Sequence, residues 1–153
     1  MIYNFDKKLR ELLIYYLESI EIEFRTKIAY YHVHDYGALG YKDSSNFNKK
    51  DYHASFLTKL DKDIDKSKKE LFVIHHKSKY NGLFPLWVAI EVTSFGDLSR
   101  LYRNLLRSTK IKVIQHLNIP PETVASWLHT LSYVRNICAH YGRLYGKDLI
   151  IKP

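Results

Sequence analysis

Reactive side-chain chemistry is concentrated in the segment Tyr133-Val134-Arg135-Asn136-Ile137-Cys138-Ala139-His140-Tyr141-Gly142-Arg143-Leu144. Arg135 and Arg143 offer charged donors for a phosphate or carboxylate, and Asn136 offers an amide. His140 brings an imidazole, a side chain that can take or give a proton in a transition state. At about 100° per residue, Arg135 shares a helical ridge with Leu131 and Cys138, close to Val124 and Leu128. A guanidinium on such an apolar ridge is costly unless it meets an anion. Two readings follow. Arg135 and His140 handle an anionic substrate, or Arg135 forms a buried ion pair with Glu21 or Glu91 while His140 caps a helix C-terminus. Five positions along an ideal helix set Arg135 and His140 about 140° apart. Closing both on one phosphate therefore needs a distorted helix, a long arginine reach or a second copy of the chain.

Other residues border this constellation. Glu21 and Arg25 lie four apart with the acid first, the favoured order for a helical ion pair. They stand at the edge of an apolar stripe, where Glu21 can orient Arg135 and Arg25 can join a phosphate site. Arg100, Arg103, Arg107, Lys110 and Lys112 form a basic line that suits either a nucleic-acid backbone or a solvated face. His32 with His34, and His75 with His76, have the residue type of metal ligands. Helical neighbours one or two apart diverge, however, and no cysteine or acidic cluster joins them, so no metal and no other cofactor is expected.

The elements that must position these residues are helical. From Phe5 to about His34 apolar residues recur at helical spacing without Gly or Pro, with Asp6 as N-cap or first-turn acid and Gly37 as the stop. The spacing predicts a second helix from about Lys50 into the high seventies, its apolar line being Leu57, Leu60, Ile64 and Leu71. A third starts at Pro85 and runs to Leu105 with a kink or break near Phe95, at Gly96-Asp97. A short helix covers about Lys110 to Leu117, and the last runs from Pro121 to Gly142 or Gly146. No run alternates at period two. The expected fold class is all-α, a single domain over residues 1–153, packed as an irregular bundle of four long helices plus a short one.

Composition narrows the partners. The chain has 153 residues, with 24 Lys and Arg against 16 Asp and Glu, a net charge of +8 that favours an acidic partner such as a phosphate backbone. A single cysteine, Cys138, excludes an internal disulfide and a cysteine-based zinc cage. Charges at Asp6, Lys7, Lys8 and Arg10 interrupt any signal peptide, and no stretch approaches the roughly 20 apolar residues of a spanning helix. The expected setting is soluble and cytoplasmic, with no membrane partner.

The spacing Arg135-Asn136 followed four residues later by His140 resembles the R-X4-H motif of the HEPN superfamily. RNICAHYGRL, over residues 135–144, is similar to the C-terminal signature of the Abi-like abortive-infection family. FDKKLRELLIYYLESIEIEFRTKIAYY, from Phe5 to Tyr31, and WVAIEVTSFGDLSRLY, from Trp87 to Tyr102, resemble that family's first and central helices in order and spacing. The resemblance implies a HEPN-like helical domain and a metal-independent endoribonuclease of phage defence or of toxin–antitoxin type. In such an enzyme the ribose 2′-hydroxyl attacks the adjacent phosphorus, leaving a 2′,3′-cyclic phosphate. Carried onto this chain, His140 is general acid or base, Arg135 grips the phosphate, Asn136 orients the histidine or the phosphate, and Arg143 is a secondary phosphate contact. The implied partners are RNA, a second copy of the chain, and an antitoxin or phage-derived trigger. A non-catalytic RNA- or protein-binding module is the alternative. Gly146 stands where relatives often carry Asn, which removes an amide role there. The resemblance also leaves room for a further N-terminal segment ahead of the block that begins at Tyr3. A shared dimeric site is expected for two reasons, the 140° separation and an apolar face through Ile137 and Tyr141 opposite Leu128.

Overall fold

A computed structural model describes residues 2–153 as seven α-helices with no strand among them. The helices are α1 (Ile2–Tyr36), α2 (Lys50–Lys66), α3 (Leu71–Lys79), α4 (Leu86–Ala89), α5 (Phe95–Asn104), α6 (Arg107–Ile114) and α7 (Pro121–Ala139). Short 3-10 turns occupy the α1–α2 connection and Ile90–Val92. The all-α bundle expected from the periodicity is what forms, although its helices are more numerous, because the expected second and third are each divided. Among the described residues, no helix is long and apolar enough to cross a membrane.

α1 is the spine. It runs 35 residues without Gly or Pro and buries Leu17, Phe24 and Ile28 on one face. Gly37, at φ +80°, ends it by donating its N–H to the Val33 carbonyl at 2.8 Å, as the Asp35-Tyr36-Gly37 stop predicted. α5 and α7 pack against α1 and against each other. Their contact buries Leu98, Leu101, Tyr102 and Leu105 of α5 with Val124 and Leu128 of α7 in one continuous core.

Three expectations need correction. The second helix divides into α2 and α3 at Ser67–Glu70, although no Gly or Pro marks the break. The turn re-aims the chain so that Val73 is fully buried while Leu71 is exposed. The third helix does break near Phe95, but at Thr93–Ser94 rather than at Gly96-Asp97. Thr93 and Ser94 are extended, and Ser94 caps α5 by accepting the Asp97 N–H at 3.2 Å while its hydroxyl meets the Asp97 carboxylate at 2.6 Å. The short helix begins at Arg107 and ends at Ile114, closed by a turn with Asn118 at φ +49°.

Candidate active site

α7 carries the motif, and the way it ends decides where the motif points. Pro121 starts it at the first helical position, where a missing N–H costs nothing. Its C-terminus is a Schellman arrangement: Tyr141 donates to the Cys138 carbonyl at 3.2 Å and Gly142 to the Ile137 carbonyl at 2.9 Å. The helix ends at the Gly142 stop that the sequence predicts, with the left-handed residue one position earlier. Tyr141 takes the left-handed conformation, at φ +57°, and Gly142 is needed for closeness. A Cβ there would stand 3.1 Å from Ile137 Cγ2 and 3.3 Å from the Ile137 carbonyl. The fold-back covers Ile137, which is buried within the chain, whereas Tyr141 is 86% exposed. The apolar face expected through both residues is thus half-covered already.

The segment beyond α7 is held by the start of α1. The Asp6 carboxylate accepts the backbone N–H groups of Tyr145 at 2.6 Å and Leu144 at 3.0 Å. Arg10 pairs with Asp6 and reaches the Gly142 carbonyl at 3.4 Å. Both side chains are buried. The Tyr145 N–H is the chief reason the Asp6 carboxyl is held below its usual range. The Leu144 N–H and the Arg10 and Arg143 charges act in the same direction, against burial. Phe5 packs edge-on against Tyr145 with ring centroids 5.2 Å apart. Asp6 is therefore no helix cap, but a clasp on a loop 138 residues away.

Arg135 faces α1. Its Nε lies 3.7 Å from Glu21 Oε2, too long for a hydrogen bond, and is buried without another partner among the described residues. Glu21 is itself buried, and its better partner is Arg25, at 2.6 Å. Arg25 is in turn committed to the turn before α5, donating to the Ile90 carbonyl and, at 3.1 Å, to that of Thr93. Glu91, the other acid considered for Arg135, is exposed. The Arg135 side chain keeps 34% of its surface exposed. His140 and Asn136 are exposed, and Asn136 accepts the His140 backbone N–H at 3.0 Å through its carbonyl. Arg143 is exposed, with Nε on the Tyr145 carbonyl at 3.1 Å. No hydrogen bond or ion pair joins Arg135 to His140 among the described residues. Arg135 is directed at α1, and His140 stands at the helix end.

The sequence matches the family described as Abi-like protein over residues 1–146. The chain belongs to the Abi-like protein family. Its name points to abortive infection, and phage defence is the role that membership suggests. No curated protein and no solved structure matches the chain.

In this Abi-like protein Asp6, Arg10 and Tyr141 are the residues that reading the sequence missed. Asp6 and Arg10 do lie four apart with the acid first, the same signal that singled out Glu21 and Arg25. Nothing local shows that the pair would reach Leu144. The histidines weighed as metal ligands have other surroundings. His32 is fully buried and stacked on Phe47 at 5.3 Å, and His34 and His76 each turn a ring nitrogen to a backbone carbonyl of their own helix.

Proposed function

We propose that this Abi-like protein is an endoribonuclease of phage defence or toxin–antitoxin type, with Arg135 and His140 as its catalytic pair. One observation carries the reading: Arg135 is surplus to the ion pair that was its structural explanation. Glu21 is already neutralised by Arg25 at 2.6 Å, so the Arg135 charge, partly exposed at 3.7 Å, is left over for an external anion. A phosphodiester fits a guanidinium that keeps donors to spare. His140, exposed at the end of α7, would accept the 2′-hydroxyl proton as that oxygen attacks phosphorus, or protonate the 5′-oxygen as its bond to phosphorus breaks. Asn136 and Arg143 serve as supporting contacts. Glu21 backs the inner side of Arg135, and Arg25 holds Glu21 in place.

The working unit in this reading is a homodimer in the cytoplasm that pairs Arg135 of one copy with His140 of its mate. The separation of about 140° that an ideal helix gives the two positions supports it. So does a stripe on the first half of α1, where Phe5, Leu12 and Tyr16 are exposed beside half-buried Leu9, Leu13 and Ile20. An antitoxin or phage-derived trigger would control it. Metal independence follows the resemblance to the HEPN motif, and chelation tests it. Mixed RNA incubated in EDTA should be cut to fragments with cyclic phosphate ends, and His140→Ala should abolish cutting with affinity retained. Cleavage that needs added Mg²⁺ or yields 5′-phosphates refutes the mechanism. RNA binding without cleavage assigns a binding module instead.

A further inference from the structure

Away from the motif, α2 and α5 enclose a cavity of about 330 Å³, within the size range of small-ligand pockets. Its walls are aromatic and apolar, with Phe47, Tyr52, Phe56 and Leu101. His53, buried, is stacked on Phe47 at 4.6 Å with Nε2 on the Tyr41 carbonyl at 2.8 Å. Phe47 and Leu101 are buried and Phe56 is half-buried, while Tyr52 is half open to solvent.

The rim is cationic. Arg100 and Arg103 stand exposed on the outer edge of α5. The Arg100 guanidinium meets Asp97 only at 3.7 Å, and that carboxylate also takes Lys59 at 3.4 Å and the Ser94 hydroxyl. Arg103 has no carboxylate partner among the described residues. The rest of the basic line is accounted for differently: Arg107 pairs with Glu122, Lys112 pairs with Asp35, and Lys110 is buried. An aromatic slot beside two under-neutralised guanidiniums is complementary to a planar ring that carries a phosphate.

The charges of the two arginines reach α7, where, after burial, they hold the His129 imidazole below its usual range. Counting 100° per residue, His129, Tyr133, Asn136 and His140 fall on one face of α7, about 16 Å from first to last. A polar stripe thus leads from the arginines to the motif.

We infer that the α2–α5 cavity binds one nucleotide, with its base against the aromatic wall of Tyr52 and Phe56 and its phosphate on Arg100 and Arg103. This rests on the RNA-directed reading above and adds to it a base-holding subsite set apart from His140. The α7 stripe favours a nucleotide within a single strand that continues to the motif. A free mononucleotide has the same chemistry.

Binding is the test, so that it stands apart from cleavage. A fluorescein-labelled single-stranded 10-mer oligoribonucleotide of mixed sequence is titrated into His140→Ala protein by anisotropy, with AMP titrated separately by calorimetry. Tyr52→Ala should raise the oligonucleotide Kd about tenfold to a hundredfold, with Tyr52→Phe restoring affinity, because a ring face is what is lost. Arg103→Ala should weaken binding and lower the salt slope by about 0.7. AMP binding that falls with Tyr52→Ala assigns the site to free nucleotides as well, and AMP inert beside a sensitive oligonucleotide assigns it to the strand. Unchanged affinities for both ligands in Tyr52→Ala and Arg103→Ala, with circular dichroism as for the parent, overturn the inference even if the parent cuts RNA. A protein that never cleaves but shows these losses sustains the cavity and refutes only the catalytic reading.

Discussion

At the scale of single residues, the two ends of the Glu21 triangle should respond unequally to mutation. Glu21→Gln removes the one anion facing Arg25 and Arg135, leaving two guanidiniums opposed where Arg25 is nearly buried. The loss should be roughly 3 kcal/mol by urea denaturation, in the range for breaking a buried pair. Arg135→Ala leaves Glu21 with Arg25, so it should cost under about 1 kcal/mol while abolishing cleavage. Equal losses would make Arg135 a structural counterion. A second residue effect concerns acid. Burial drives the His32 imidazole down to about 4 from 6.5, and neither ring nitrogen has a partner among the described residues. Its folded value is depressed, so its contribution is complete above pH 6.5. As pH falls from there towards 4, the unfolded chain takes up a proton that the folded one refuses, and up to about 3 kcal/mol is lost. The His32→Phe protein should lack that acid limb when stability is followed across the same window. The sequence shows Arg135 and Glu21 as partners because an arginine on an apolar ridge demands an acid. It does not show that Arg25 satisfies Glu21 first, since that depends on where the Ile90–Thr93 turn lies in space.

At the scale of elements, the end of α7 separates two roles that a tyrosine–glycine pair shares. Tyr141→Gly should stabilise the protein by about 1 kcal/mol, because glycine meets no penalty in the left-handed region. If the strain is kept for function, RNA cleavage should fall in the same variant. Gly142→Ala should destabilise by about 1–2 kcal/mol, since the new methyl group would press on the Ile137 backbone and side chain. Thermal melts of both proteins test the pair. α1 and α7 were legible because long unbroken periodicity and Pro and Gly signals agreed. The division of α2 from α3 was not, because Ser67–Glu70 holds no breaker and the turn is set by what Val73 must bury. The break before α5 had a readable signal, Ser94 three residues ahead of Asp97, that the Gly96 kink reading passed over.

For the whole molecule, the open question of assembly has a direct measurement. Arg135→Ala and His140→Ala proteins, each inactive, should recover cleavage when mixed if one site draws on two chains, approaching a quarter of the parent rate for random pairing with one intact site in half the dimers. A monomer by light scattering at micromolar concentration that still cleaves would reject the shared site. The clasp of Asp6 on Leu144 and Tyr145 has another consequence, one of timing. It closes a loop of 138 residues, so it is among the most distant contacts the chain can make and among the dearest in closure entropy. Such a contact forms after the barrier to folding is crossed. Asp6→Asn should therefore hasten unfolding in a chevron analysis while leaving the refolding limb where it was. By the same order of events, a chain still emerging from the ribosome and short of Leu144 has its spine helix but not the held loop beside His140, so the motif is fully framed only after Leu144 and Tyr145 have been made.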